Sequence, residues 1–193
     1  MSNRGSAMAC TLVTPTLETL PGYRDALERG WSPDNVNLEK TARIHLTRIA
    51  EDAAAFVASL TDPEAKGAPI AMPDGTTCPR LPGYFLWVWD GAFCGSFSLR
   101  WQNGTSTLPD YCLGHIGYSI VPWKRRLGYA TAGLRHVLVR AKTHGLDTVE
   151  LTTETGNLPS QKVILANGGR LLGPRNKIDA YGGAEELLWQ IAL

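Results

Sequence analysis

At 193 residues the chain holds one domain with a sizeable core and room for an N-terminal extension. Hydrophobic residues make up 44% and charged residues 19%, an ordinary globular balance, and a net charge of +1 provides no overall field for nucleic acid or an anionic membrane surface. The four cysteines, Cys10, Cys78, Cys94 and Cys112, form no C-x-x-C pair and are too few for a disulfide scaffold, which argues against structural zinc and for free thiols in the cytoplasm.

Residues 1–15 read as a disordered or extended N-terminus without an apolar core of signal-peptide length. No apolar run approaches the ~20 residues of a membrane span. Thr16 to Arg29 predicts a short helix with Leu17, Leu20, Tyr23 and Leu27 at helical spacing, interrupted at Pro21-Gly22. Residues 37–60 predict a helix in two parts, with Leu38, Ile44, Ile49, Phe56, Val57 and Leu60 as its apolar positions. Residues 61–82 carry five prolines and read as a long loop edging a binding site.

The pattern then changes to short aromatic and apolar runs. Tyr84 to Trp89 and Phe93 to Arg100 predict a hairpin turning at Asp90-Gly91, with Trp87 and Trp89 as packing residues. A strand over 114–121 places Ile116, Tyr118 and Ile120 on one face. Ala130 to His144 is the clearest helix: Leu134, Val137, Leu138 and Ala141 recur at i, i+3, i+4, i+7, and Gly145 closes it. A strand over 148–155 follows. The next helix spans 157–167, capped by Asn157 with Pro159 in its first turn, and residues 170–172 and 185–192 make the final strands. From residue 84 the order β-β-β-α-β-α-β-β predicts an α+β fold, a mixed sheet with helices against it.

The chemistry concentrates at Val121-Pro-Trp-Lys-Arg-Arg-Leu-Gly-Tyr-Ala-Thr131, where a strand gives way to a helix. The first N–H groups of that helix and its positive dipole end face a loop carrying Lys124, Arg125 and Arg126, and Gly128 lets the backbone approach a ligand. Taken alone, the segment reads equally as an anion site or as a solvated basic turn.

Two elements in combination narrow the choice. Arg125-Arg-Leu-Gly128-Tyr-Ala130, preceded by Gly117-Tyr-Ser-Ile-Val-Pro122, matches the Q/R-x-x-G-x-G/A signature of the acyl-CoA N-acyltransferases, the GNAT superfamily. One helix and one strand later, Asn157-Leu-Pro-Ser160 opens a helix ending in Asn167-Gly-Gly169, which resembles the second family element. The resemblance covers residues 84–193 and is nearest to bacterial acetyltransferases with a Gly-His-Ile-Gly-Tyr strand. It implies a GNAT-like fold: a mostly antiparallel sheet with helices on both faces, whose fourth and fifth strands, here 114–121 and 148–155, are parallel and splayed. Residues 16–193 would form one domain, with helices and the proline-rich loop over 16–82 and an acetyl-CoA-binding core over 84–193.

The implied activity is acetyl transfer from acetyl-CoA, the co-substrate, to a primary amine by direct attack in a ternary complex, without a metal. Carried over residue by residue, the backbone at Ile120 and Val121 would bind pantetheine. Arg125, Arg126, Gly128, Tyr129, Ala130 and Thr131 would surround the pyrophosphate, and Asn157 and Ser160 would face the distal pantetheine or thioester. The family's tyrosine seven residues after the asparagine is replaced by Ile164, so the thiolate's proton donor passes to Ser160, to water, or to nothing. His115 is the candidate general base because imidazole titrates near neutral pH, with Glu150 and Glu154 as runners-up. Its bland alternative is a histidine hydrogen-bonded within the sheet. His45, His136 and His144 read as structural or surface residues. The missing tyrosine keeps a non-catalytic acyl-CoA binding or sensing module as the alternative function. The acceptor is a small-molecule amine or a protein N-terminus, and exposed sheet edges leave a homodimer open.

Overall fold

The computed structural model describes residues 10–34 and 37–193, and the expectations for residues 1–9 lie outside them. The chain begins with β1 (Thr11–Val13), α1 (Leu20–Glu28), α2 (Leu38–Glu51) and α3 (Ala53–Ala58). Pro21 does not interrupt the first helix. It sits in the first turn of α1, where its missing N–H costs no hydrogen bond. The two-part helix breaks at Asp52, which is extended (φ −156°) and caps α3 by accepting the Ala55 N–H at 2.9 Å.

The proline-rich segment holds three two-residue strands, β2 (Thr61–Asp62), β3 (Ile70–Ala71) and β4 (Thr77–Cys78), too short to show a sequence period. The core follows as β5 (Gly83–Trp89), β6 (Phe93–Arg100), β7 (Ile116–Ile120), α4 (Tyr129–Thr143), β8 (Thr148–Glu154), α5 (Leu158–Leu165), β9 (Arg170–Asn176) and β10 (Glu185–Ala192).

The expected mixed sheet is divided in two. One sheet runs β1-β5-β6-β7 with β2 beside β5, the other β8-β10-β9, and every ladder in both is antiparallel. The crossover pair β7 and β8 shares no ladder. The two strands meet near Gly114–His115, where the His115 N–H donates to the Glu150 carbonyl at 2.8 Å. A Cβ on Gly114 would stand 2.9 Å from that same carbonyl, and its φ of +155° is open to glycine. Beyond this point the strands separate.

The two faces of the larger sheet build two cores. Leu86, Val88, Phe97, Leu99 and Ile116 pack with Leu134 and Val137 of α4 and Leu151 of β8. Trp87 and Phe93 pack with Tyr23, Leu27 and Phe56 from the N-terminal helices. Trp87 is fully buried and stacks on Tyr23 at 4.8 Å between ring centroids. Each such side chain contributes about 1.5–3 kcal/mol through removal from water. Helices therefore cover both faces, as the family resemblance implies.

Asp90, in the β5–β6 turn, ties this framework to the start of α4. Its carboxylate accepts the Lys124 ammonium at 2.7 Å and the Tyr129 hydroxyl at 2.6 Å, with the side chain only 3% exposed. Desolvation opposes its ionisation, but these donors outweigh it and hold the Asp90 pKa down to about 2. That stabilisation is present above the ordinary value of 3.8 and is lost as pH falls from about 4 towards about 2. Asp90→Ala is expected to cost about 2–4 kcal/mol, read as a lower urea midpoint at neutral pH, and to flatten the acid limb of the stability curve.

Candidate functional site

The strand-to-helix junction takes shape from its backbone. After Val121 the chain makes a 3₁₀ turn over Pro122–Lys124, then enters left-handed conformation at Arg126 (φ 64°) and Gly128 (φ 81°). Nothing lies within 4 Å of a Cβ placed on Gly128, so glycine is required there by conformation rather than by crowding. Gly128 is the N-cap of α4 and no side chain among the described residues caps the helix, which leaves its first N–H groups to other partners.

The three basic residues have different fates. Lys124 is committed to Asp90. Arg125 is exposed but its Nε donates to the Ile120 carbonyl at 3.2 Å. Arg126 is exposed on the left-handed turn itself. The side chain of Tyr129 is buried and turned to Asp90, so only its backbone remains at the junction. Ala130 and Thr131 complete the first turn at intermediate exposure, and the Thr131 carbonyl accepts from Asn167 Nδ2 at 3.2 Å, joining α4 to α5.

Alternate residues of an antiparallel strand turn their N–H and C=O groups to opposite edges. The Val121 N–H bonds the Cys94 carbonyl at 3.0 Å, so Val121 faces β6, and its own carbonyl accepts the Lys124 N–H. Val121 is fully buried and has no group to offer the gap between β7 and β8. That corrects the expectation for Val121. Ile120 and Tyr118 present the opposite edge, towards the gap.

Across the gap, the Asn157 side chain caps α5 by accepting the Ser160 N–H at 3.2 Å. The Ser160 hydroxyl lies 2.6 Å from the Tyr118 hydroxyl. Burial pushes the Tyr118 phenol up to about 12, although the Ser160 bond pulls the other way. Tyr118 is the residue that sequence reasoning missed. Its place on the face shared with Ile116 and Ile120 made it look like a core aromatic, and it does stack on Phe97 at 5.0 Å while its hydroxyl reaches α5. Ile164, in the position of the absent tyrosine, is fully buried.

His115 is placed as a pin rather than as a base. It is fully buried, and its Nδ1 accepts the Glu150 N–H at 2.9 Å. The one lone pair of the neutral ring is therefore occupied, and the proton sits on Nε2, which has no partner. Burial and the nearby Arg100 charge lower its pKa to about 4. The expectation of a near-neutral general base thus fails on geometry and on basicity. Of the runners-up, Glu150 is half-buried on β8 and Glu154 is exposed at its end. His45 bonds Tyr23, and His144 stacks on Trp101 at 3.8 Å. No cluster of His, Cys, Asp and Glu that could hold a metal occurs among the described residues. No helix among them is long and apolar enough to cross a membrane.

The profile of the acetyltransferase (GNAT) domain matches residues 43–170, reaching back into α2, well before the hairpin. No curated protein sequence matches the chain. Among solved structures, Mycobacterium smegmatis RimJ in complex with CoA-disulfide is 19% identical, with a TM-score of 0.66 over 96% of this chain and 83% of that one. RimL, a ribosomal L7/L12 alpha-N-protein acetyltransferase in complex with coenzyme A, is 9% identical, with a TM-score of 0.62 over 95% and 94%. The microcin C7 self-immunity acetyltransferase MccE, in complex with acetyl-CoA and AMP, is 12% identical, with a TM-score of 0.57 over 100% and 98%. At these identities the likeness is one of fold.

His115 is buried and His45 half-buried, each with a pKa lowered to about 4 mainly by desolvation. A group that resists protonation when folded stabilises the protein above its unfolded pKa of about 6.5, and that contribution is lost as pH falls towards 4. Stability is expected to decline over that window. Nitrogen-15 NMR should find His115 protonated on Nε2 and neutral at pH 6; a charged ring there would refute the pin.

Proposed function

The chain belongs to the GNAT acetyltransferase family, and we propose that it transfers an acetyl group from acetyl-CoA to a primary amine while both are bound. The observation that carries this reading is the juxtaposition of the β7 edge with which no described strand pairs and the N-terminus of α4, which no described side chain caps. An extended pantetheine pairs with the edge at Tyr118 and Ile120. The pyrophosphate meets the first N–H groups of α4 and the left-handed turn at Arg126 and Gly128. Arg125, released from the Ile120 carbonyl that pantetheine then needs, turns its guanidinium to the same phosphates.

The amine nitrogen attacks the thioester carbonyl carbon, the C–S bond breaks, and the coenzyme leaves as a thiolate that needs a proton. Tyr118 and Ser160 stand together, with Ser160 one helical turn before the Ile164 that replaces the family tyrosine. A phenol held at about 12 stays protonated and serves as a donor, passing its proton directly or through Ser160 and recovering it from water. The amine's proton leaves to water; Glu150, half-buried on β8, is the carboxylate proposed to assist in place of His115. Asn157 supports the arrangement by fixing the first turn of α5.

Acetyl-CoA titrated into the protein should bind, and absence of binding at near-millimolar ligand sinks the reading. Gly128→Asp places a carboxylate at the phosphates and is expected to weaken that binding by about tenfold or more. Tyr118→Phe keeps the stack on Phe97 and should lower kcat about 100-fold while acetyl-CoA affinity stays nearly unchanged. An undiminished kcat would remove Tyr118 from the proton path.

A further inference from the structure

A second feature, a cavity of about 260 Å³, opens between the ends of β5 and β6 and the 59–83 segment. Its walls are mostly apolar and aromatic, formed by Leu60, Leu81, Leu99, Tyr111 and Tyr181 among others. One strong charge on them is unmatched. Arg100, half-buried at the end of β6, donates from Nη2 to Ser98 Oγ at 3.0 Å and points Nη1 at Cys112 Sγ at 4.0 Å. No carboxylate among the described residues forms an ion pair with it. The other charged residues lining the cavity are already satisfied. Arg80 pairs with Asp62 at 3.7 Å and donates to the Ala68 carbonyl, while Asp62 also accepts the Lys66 and Gly67 N–H groups. A guanidinium carries five donors in a planar fork, and Arg100 leaves most of that fork for a ligand.

The cavity adjoins the reacting centre. Ser98 is opposite Gly117 in the β6–β7 ladder, and a Cβ on Gly117 would lie 3.4 Å from Arg100 Nη2. The guanidinium that lines the cavity therefore lies against bare β7 backbone, one residue before Tyr118. We propose that this cavity receives the acceptor, and that the acceptor is a small primary amine bearing a carboxylate, held by Arg100, on an apolar or aromatic body. The proposal rests on the acetyl-transfer reading above and specifies its substrate class. The volume lies just below the usual range for small-molecule sites and suits one amino-acid-sized molecule or the first residue of a peptide. A carboxylate fits the fork bidentately, whereas an uncharged amine would leave the cation desolvated without compensation.

The test measures coenzyme A thiol release with amine pairs differing only in the carboxylate, phenylalanine against phenethylamine. An aspartyl peptide amide is added to separate a side-chain carboxylate from an α-carboxylate. A carboxylated amine is expected to be preferred by about 10- to 100-fold in kcat/KM, the scale of a charge-assisted hydrogen-bond pair. Arg100→Gln, checked for folding by circular dichroism, should abolish the preference through KM, and Arg100→Lys should keep part of it. Acetyl-CoA affinity, measured by calorimetry, should be unchanged in both. Equal rates within the pair, or a preference that survives Arg100→Gln, overturns the assignment. So does failure to acetylate any carboxylated amine by protein that binds acetyl-CoA. Failure to bind acetyl-CoA instead overturns the acetyl-transfer reading itself.

Discussion

Two hydrogen bonds between His115 and Glu150, one from the backbone N–H of each residue, form the fixed point where the two sheets meet. The approach is close because Gly114 has no Cβ to set against the Glu150 carbonyl. Past this point each strand follows its own partner, β7 with β6 and β8 with β10, and the right-handed twist of separate sheets carries the facing edges apart. An unpaired strand edge retains N–H and C=O groups that need partners. The gap is thus a consequence of pinning two sheets at one end, and in the proposed complex an extended ligand lies along the edge that no described strand fills. The same pin consumes the imidazole. His115 holds the cleft open by giving its lone pair to the backbone, and a group used that way is lost to proton transfer.

Charge is distributed by a similar economy. Asp90 draws Lys124 and Tyr129 inward and thereby fixes where α4 begins. The cluster of three basic residues becomes one structural cation, one guanidinium parked on the Ile120 carbonyl and one exposed on the turn. An anion at the uncapped helix end would meet the last two together with the backbone donors. A cluster read from sequence overstates the free positive charge, because the buried acid that claims part of it lies 34 residues away.

The elements legible in the sequence are those with a sustained period or a strong cap. α4 shows four apolar positions in register, and Asn157 opens α5 as expected, so both fell within one or two residues of their structural limits. β1 and β2 have three and two residues and owe their existence to β5, which no local window reveals, while β3 and β4 are two residues each and pair with each other. Partition into two sheets was also invisible, since it depends on a single close approach at Gly114. At the site, the motif match pointed to the loop over 125–130 and to the helix opened by Asn157. It did not reveal that Val121 faces β6 or that Tyr118 reaches Ser160, because both depend on which edge or face of β7 a residue occupies. A one-residue change of parity exchanges a core aromatic for a hydroxyl at the gap.

That parity also organises the proposed reaction. Even-numbered residues of β7 pack with the α4 side, where Tyr118 meets Ser160. Odd-numbered residues face the N-terminal helices, where the Ser119 hydroxyl accepts from Trp31 and Gly117 underlies Arg100. A thioester lying along the β7 edge would therefore have a proton donor on one side and a cavity with an unmatched cation on the other. The nucleophile would approach the carbonyl from the face opposite the donor that serves the departing sulfur. Attack and departure need no shared residue in this arrangement. An acceptor pocket can then vary through the 59–83 segment and the 177–184 turn without disturbing the coenzyme side, whose geometry is set by β7, α4 and the pin at His115.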